Sequence, residues 1–298
     1  MKIALVLSLY DEYEYIETTL DSILGMSTHE CSAHIYLTGN LWFEETMRTL
    51  EAIQDKSYKI FIHTGGTEGV ITNSPSVGTS LIIHDCYYRD DYDVVVAGSP
   101  DIRLKNDQDF DVFINQATPH LQTKYTISLL DKPLVGLRFS FIIYTKLGIE
   151  TVGYPDFNFA PMSRSDFDLH RRYMIAYDKP LNLGEISLED YLGDVDLFFD
   201  PPYGHSVILP TQHGIEGRGK SFTVGWFRNA SDRLCRDYYE KKWGIPEAST
   251  WNKTPVWNGL FTHPFNDESI PLKITHQNII DQFYSRHDRK DLRIWQSI

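Results

Sequence analysis

Ile3-Ala4-Leu5-Val6-Leu7-Ser8 is a continuous apolar run of strand length, and after a polar turn the stretch Tyr15 to Leu24 carries Ile16, Leu20, Ile23 and Leu24 at helical spacing. Reading outward from this pair, the same alternation repeats. Ala33 to Leu37 reads as a strand, Phe43 to Ile53 as a helix, Tyr58 to His63 as a strand, Val77 to Tyr87 as a helix and Asp93 to Ala97 as a strand. Val94, Val95 and Val96 are apolar in succession, the pattern of a strand covered on both faces. Such alternation predicts an α/β fold with a mostly parallel central sheet and helices on both sides. Ligands of these sheets bind past the carboxyl ends of the strands, which singles out the turns Leu9 to Glu12, Thr38 to Asn40 and Gly98 to Asp101.

Beyond Asp101 the pattern is mixed. Leu134 to Tyr144 reads as a strand containing Gly136, Phe167 to Tyr177 as a helix, and Asp232 to Trp243 as a helix closed by Gly244 and Pro246. The intervening Asp178 to Arg218 is rich in Pro, Gly and aromatic residues, which predicts long loops of the kind that form lids. The expected division is a main domain over 1–245 and a C-terminal extension over 246–298 that packs on it.

Composition narrows the function classes. The formal net charge of the 298 residues is -13, which disfavours generic nucleic-acid binding, since phosphate contacts are built from Lys and Arg. The basic residues Arg286, Arg289, Lys290 and Arg293 stand among two Asp and read as a solvated helix end. Three cysteines (Cys31, Cys86 and Cys235) cannot all pair and match no metal spacing, so a reduced, cytoplasmic protein is expected. The apolar start is too short to span a membrane, and no transmembrane segment is expected; the protein is soluble or peripheral to a membrane. There is no G-x-S-x-G elbow and no H-E-x-x-H, and no G-x-G-x-x-G follows the first strand, which argues against a dinucleotide enzyme.

Three constellations can carry chemistry. Ser99-Pro100-Asp101 stands where a buried strand runs out, and a carboxylate there suits Mg²⁺ or Mn²⁺ with a diphosphate completing the oxygen shell. The plainer reading is a turn acid beside a proline-fixed bend. Ser165-Asp166-Phe167-Asp168-Leu169-His170-Arg171-Arg172 places two carboxylates just before a helix. Asp166 is the candidate general base, and Asp168 can pair with Arg171 or Arg172. The plainer reading is a helix cap with acids favoured by the dipole. In Thr211 to Ser221, His213, Arg218 and Lys220 lie among glycines that let a backbone approach phosphate. There His213 can ligate metal, and Arg218 and Lys220 can neutralise a leaving diphosphate; the plainer reading is a surface loop. His63, His84 and His120 read as structural, and His205 is a weaker candidate.

Taken in order, these pieces resemble the inverting family 2 glycosyltransferases of the GT-A (Rossmann-like) fold, in their rhamnosyltransferase-like branch. The run Ile3 to Glu12 with the helix Ile16 to Leu24 is similar to that family's opening strand, Tyr-Asn-Glu turn and helix, with Asp11 in place of Asn. The resemblance implies Leu9, Tyr10 and Glu12 as nucleotide neighbours. Asn73 and Gly78 resemble the Asn-x-Gly region, and Ser99-Pro100-Asp101 lies where the family carries Asp-x-Asp, which implies Asp101 as metal ligand with Ser99 beside the nucleotide. Val152-Gly153-Tyr154 and Asp166 to Arg171 resemble the Val-Gly-Gly-Phe segment and the Glu-Asp-x-Asp-x-x-x-Arg box, with Ser165 in place of Glu. Asp166 then takes the base position, and Asp168 and Arg171 the supporting ones. His213 resembles a downstream His often close to the metal, and Tyr238 to Gly244 resembles a Tyr-x-x-Lys-Trp-Gly ending. The second strand ends in Thr38-Gly39-Asn40 rather than Asp-Asp-Gly-Ser, leaving Asn40 as the candidate contact to a pyrimidine edge. The resemblance implies a hexosyl- or pentosyltransferase acting on a nucleotide-sugar, UDP- or dTDP-linked, with Mn²⁺ or Mg²⁺. The acceptor would be a glycan or glycolipid. Alternatives are hydroxymethylated bases of phage DNA, with the host cytoplasm as location, and a non-catalytic carbohydrate-binding protein that keeps the shell.

Overall fold

The computed structural model describes residues 1–9, 13–37, 43–53, 56–64, 75–98, 100, 102–104, 106, 108–129, 141–156, 165–176, 196–199, 207–208, 237–239, 242 and 273–286. The opening run forms β1 (Lys2–Leu9), and the helically spaced stretch forms α1 (Tyr13–Leu24). The alternation continues through β2 (Glu30–Leu37), α2 (Phe43–Ala52), β3 (Lys59–Thr64), α3 (Pro75–Tyr88) and β4 (Val94–Gly98). Each expected element of this half is present, with ends differing by a few residues.

The apolar runs mark strands because both faces are covered. Side chains alternate along β1. Ile3, Leu5, Leu7 and Leu9 enter one core with Ile16, Leu20, Ile23 and Leu24 of α1, while Ala4 and Val6 enter a second with Leu81, Ile82 and Ile83 of α3. All β1 residues from Ile3 to Leu9 except Ser8 are at most 1% exposed, so each large one contributes roughly 1.5–3 kcal/mol of apolar burial.

The second half completes the sheet. β5 (Ile102–Arg103) is followed by α4 (Asp109–Ala117), β6 (Thr126–Leu129), β7 (Phe141–Tyr144), α5 (Lys146–Val152), α6 (Ser165–Ala176), β8 (Asp196–Phe199), β9 (Val207–Ile208) and α7 (His276–Arg286). The seven-stranded sheet has the order β3-β2-β1-β4-β7-β6-β8, and β5 pairs with β9 in a separate ribbon. β4–β7 and β6–β7 are antiparallel and all other neighbours in the sheet parallel, so β7 runs against the other six strands. The fold is the expected α/β type with a mostly parallel sheet and helices on both faces.

Two differences from the sequence reading matter for the site. The strand expected over Leu134 to Tyr144 is described only as Phe141–Tyr144, with 131–140 outside the described residues. The helix expected from Phe167 begins at Ser165, so Asp166 lies inside the first helical turn rather than ahead of it. Seven described elements, β5, α4, β6, α5, β8, β9 and α7, are not named from the sequence, and β8 and β9 lie within the Asp178 to Arg218 span expected as loops. The strands among them are two to four residues long, too short for a pattern, whereas α4 carries Phe110, Phe113, Ile114 and Ala117 at helical spacing.

Register aligns the carboxyl ends of the parallel strands. Leu9 pairs across to Leu37, Leu37 to Thr64, and β4 runs out at Gly98 opposite Leu7. The segments leaving this edge, 10–12, 38–42, 65–74 and positions 99 and 101, lie outside the described residues.

Candidate active site

Helix α1 fixes the chain just past β4. The Thr19 hydroxyl, fully buried, donates to the Pro100 carbonyl at 2.7 Å. One turn on, Ser22 Oγ accepts from the Leu104 amide at 3.2 Å. Thr19 and Ser22 are three apart on one helix, so both face the same strip of chain. Between these anchors β5 pairs with β9, Ile102 opposite Ile208. The main chain on either side of position 101 is therefore held from two directions.

The second element is α6, with Asp166 its second residue. Below it lies a cluster of charges with no solvent exposure. Asp168, Arg172, Lys242 and Asp156 are each 0% exposed. Arg172 Nε donates to Asp168 Oδ2 at 2.8 Å, and its two terminal nitrogens donate to the carbonyls of Val152 (2.7 Å) and Tyr154 (2.6 Å). Lys242 Nζ lies 2.5 Å from Asp168 Oδ1 and 2.8 Å from Asp156 Oδ2. Tyr238 Oη donates to the same Asp156 oxygen at 2.9 Å. Two carboxylates balance two cations. In a dry interior such a set persists only when every member is paired and hydrogen-bonded, as here.

The 152–156 segment owes its path to Gly153. Its φ is 78°, and a Cβ there would collide with the Ile274 carbonyl. The clearance lets Tyr154 N donate to Ile274 O at 3.0 Å and Ile274 N to Val152 O at 3.2 Å. A similar economy of space holds at Gly78, where a Cβ would enter the ring of Tyr36. Gly78 thereby has a packing role on α3.

Several sequence expectations meet the structure here. The main chain of Asp166 sits in the first turn of α6, and Leu9 ends β1 with its side chain 0% exposed in the core. Asp168 takes Arg172 as partner. Of the two arginines left open, this is the one four residues on; the side chain of Arg171, expected in a supporting position, lies outside the described residues. Tyr10, Glu12, Asn40, Asn73, Ser99, Asp101, His213, Arg218 and Lys220 lie outside the described residues. Among the described residues no group of three His, Cys, Asp or Glu can hold a metal ion, and no helix is long and apolar enough to cross a membrane. Sequence reasoning missed Asp156 and quoted Lys242 only within the Tyr-x-x-Lys-Trp-Gly ending, with no role assigned. The available signal was weak: Tyr238 and Lys242 stand four apart, the spacing that puts two side chains on one carboxylate.

Along β2 and β3, beside α3, a cleft of about 420 Å³ is lined by His34, His63, Tyr92 and Cys86, among others. His34 Nδ1 and His63 Nε2 approach to 3.1 Å, and His34 Nε2 meets Tyr92 Oη at 3.1 Å. Burial lowers His34 to about 3 and His63 to about 4, so both are neutral near pH 7. The two rings pack against each other, with Tyr92 against His34, and we read these histidines as structural.

No family model matches the chain, and no curated protein matches it in sequence. Solved structures do match. A Staphylococcus aureus TarS chain (residues 1–349) is 12% identical, with 71% of this chain and 61% of that chain covered and a TM-score of 0.47. The same TarS segment in complex with UDP-GlcNAc is 11% identical over 86% of this chain and 78% of that one, with a TM-score of 0.49. A Pyrobaculum calidifontis mannosyltransferase in complex with GDP-Man and Mn²⁺ is 13% identical over 68% of this chain and 58% of that one, with a TM-score of 0.43. The chain thus spans about three fifths of the first TarS chain and of the mannosyltransferase. At these values the likeness is one of shape, and no residue role follows from it.

Proposed function

We propose that the protein is a glycosyltransferase that moves a sugar from a nucleotide-sugar donor to an acceptor hydroxyl with inversion. The observation that carries the reading is the buried four-charge cluster of Asp156, Asp168, Arg172 and Lys242. It anchors the first turns of α6, and Asp166 is the second residue of that helix. A reacting carboxylate needs a rigid support, and this cluster supplies one. The order of motifs from Ile3 to Gly244 and the shared carboxyl edge of β1 to β4 support the same reading.

In this proposal Asp166 takes the proton of the acceptor hydroxyl as its oxygen attacks the anomeric carbon. The bond from that carbon to the nucleoside diphosphate breaks, and Arg218 and Lys220 offset the charge on the leaving oxygens. Tyr10, Glu12, Asn40, Asn73 and Ser99, with the end of β1 at Leu9, would bind and orient the donor. A carboxylate from Asp101 and an imidazole from His213 are a donor set that suits Mn²⁺ or Mg²⁺. Such an ion, when bound, would supply charge stabilisation at the diphosphate. A UDP- or dTDP-linked hexose or pentose and a glycan or glycolipid acceptor complete the proposal, with a cytoplasmic site of action and a catalytic domain over 1–245.

The test is a donor panel of UDP-glucose, UDP-GlcNAc, UDP-galactose, dTDP-rhamnose and GDP-mannose, read by released nucleoside diphosphate with and without Mn²⁺. Turnover of one donor, abolished in Asp166→Asn and reduced in Asp101→Ala, is the expected result. Binding of a donor with no release from any of them would instead support a non-catalytic shell.

A further inference from the structure

We infer that Lys242 is a positioning residue for the helix that carries Asp166, joining a distant part of the chain to the catalytic centre; this rests on the reading of Asp166 as the base. The buried contacts form a closed ring. Asp168 uses one oxygen for Arg172 and the other for Lys242. Arg172 holds the carbonyls of Val152 and Tyr154, and Asp156, two residues further on, returns to Lys242. Every member except Lys242 and its neighbour Tyr238 belongs to the span 152–172. Lys242 closes the ring from 86 residues beyond Asp156.

This position gives Lys242 a role that local residues cannot fill. Asp168 and Arg172 are one turn apart on α6, so their pairing constrains the helix little against its surroundings. Arg172 ties α6 to residues 152 and 154. Lys242 adds a second, separate tie, bridging Asp168 to Asp156. Without it α6 keeps the Arg172 attachment and the core packing of Leu169 and Tyr173, but two buried carboxylates face a single cation and the first turn loses its tie to Asp156. A displacement of about 1 Å at a reacting group costs on the order of 10²-fold in rate. The segment with residues 237–239 and 242 must therefore dock before Asp166 is held in its working place.

The experiment compares Lys242→Met, Lys242→Arg and the charge-balanced Lys242→Met/Asp156→Asn, using the donor that the wild-type full-length chain turns over in the panel. The double variant keeps Asp168 and Arg172 as a neutral pair, so a loss seen in it is not a folding failure caused by an unpaired charge. Expected is a kcat lower by about 10²-fold in the double variant, with donor KM within about twofold of wild type and faster amide exchange in residues 165–168. Lys242→Arg should recover most of kcat, since it keeps the cation and its reach. A folded double variant with wild-type kcat would overturn the inference, as would Lys242→Arg as impaired as Lys242→Met. Asp166→Asn measured beside them separates the two ideas. If it abolishes turnover while the Lys242 variants are normal, only the positioning role fails; if it turns over normally, both fail.

Discussion

Arg172→Met is the most direct test of the buried cluster as a structural unit. The wild-type side chain is 0% exposed and makes three hydrogen bonds, to Asp168 Oδ2 and to the carbonyls of Val152 and Tyr154, at 2.6–2.8 Å. Methionine roughly fills the aliphatic volume and supplies no donor. Asp168 is left with Lys242 as its cation while Lys242 is shared with Asp156, so one buried negative charge is uncompensated. Removing one partner of a buried pair costs about 3–5 kcal/mol, against about 5–15 kcal/mol for the whole fold. Urea unfolding followed by fluorescence should show that loss with an unchanged m-value, and Tm should fall by roughly 6–20 °C. The comparison that sharpens the test is Arg172→Met/Asp168→Leu, which deletes the pair and leaves Lys242 with Asp156 alone. It should be less destabilised than the single variant by at least about 1 kcal/mol, because no charge is stranded. A single variant that loses under about 1 kcal/mol, or a double variant worse than the single, would refute the claim that this cluster is dry and closed.

Further predictions concern the supports of the site. Thr19→Val removes the donor to a buried carbonyl at Pro100 and should cost about 1–3 kcal/mol in urea unfolding; donor turnover should fall as well if the chain around position 101 binds the diphosphate. Gly153→Ala places a methyl against the Ile274 carbonyl at φ 78° and should detach residues 273–286, seen as a lowered Tm and faster limited proteolysis of the C-terminal segment. His34 and His63 are held at about 3 and about 4, below the ordinary 6.5. The unfolded chain then binds more protons, so this stability is complete above about pH 6.5 and is lost as pH falls towards 4. Urea midpoints at pH 7.5 and 5.0 should differ by less in His34→Gln than in wild type.

Much of the fold was legible in local pattern. Ile16, Leu20, Ile23 and Leu24 stand at helical spacing and are all at most 1% exposed, and the Val94 to Val96 run is buried on both faces as a central strand requires. The candidate site was legible only in part. The acids of the Ser165 to Arg172 stretch pointed to chemistry, but three- and four-residue spacings both put an arginine on the face of Asp168. The carbonyls of Val152 and Tyr154 decide for Arg172, and their position depends on Gly153 clearing Ile274. Asp156 carried no periodic signal, and the Tyr-x-x-Lys-Trp-Gly ending marked Lys242 without indicating which carboxylate it meets.

Apolar spacing alone sets the alternation of β1 to β4 with their helices, the parallel sense of that half and the edge where its strands end. Such spacing, within a turn or a strand, is a short-range property of the chain. The folded chain alone reveals that β7 enters between β4 and β6 against the others, and that a lysine 86 residues past Asp156 completes the charge balance under α6. Such pairings are set by which groups meet when the chain closes and water is excluded. A buried carboxylate must then be matched by whatever cation arrives, and no local spacing records which one that is.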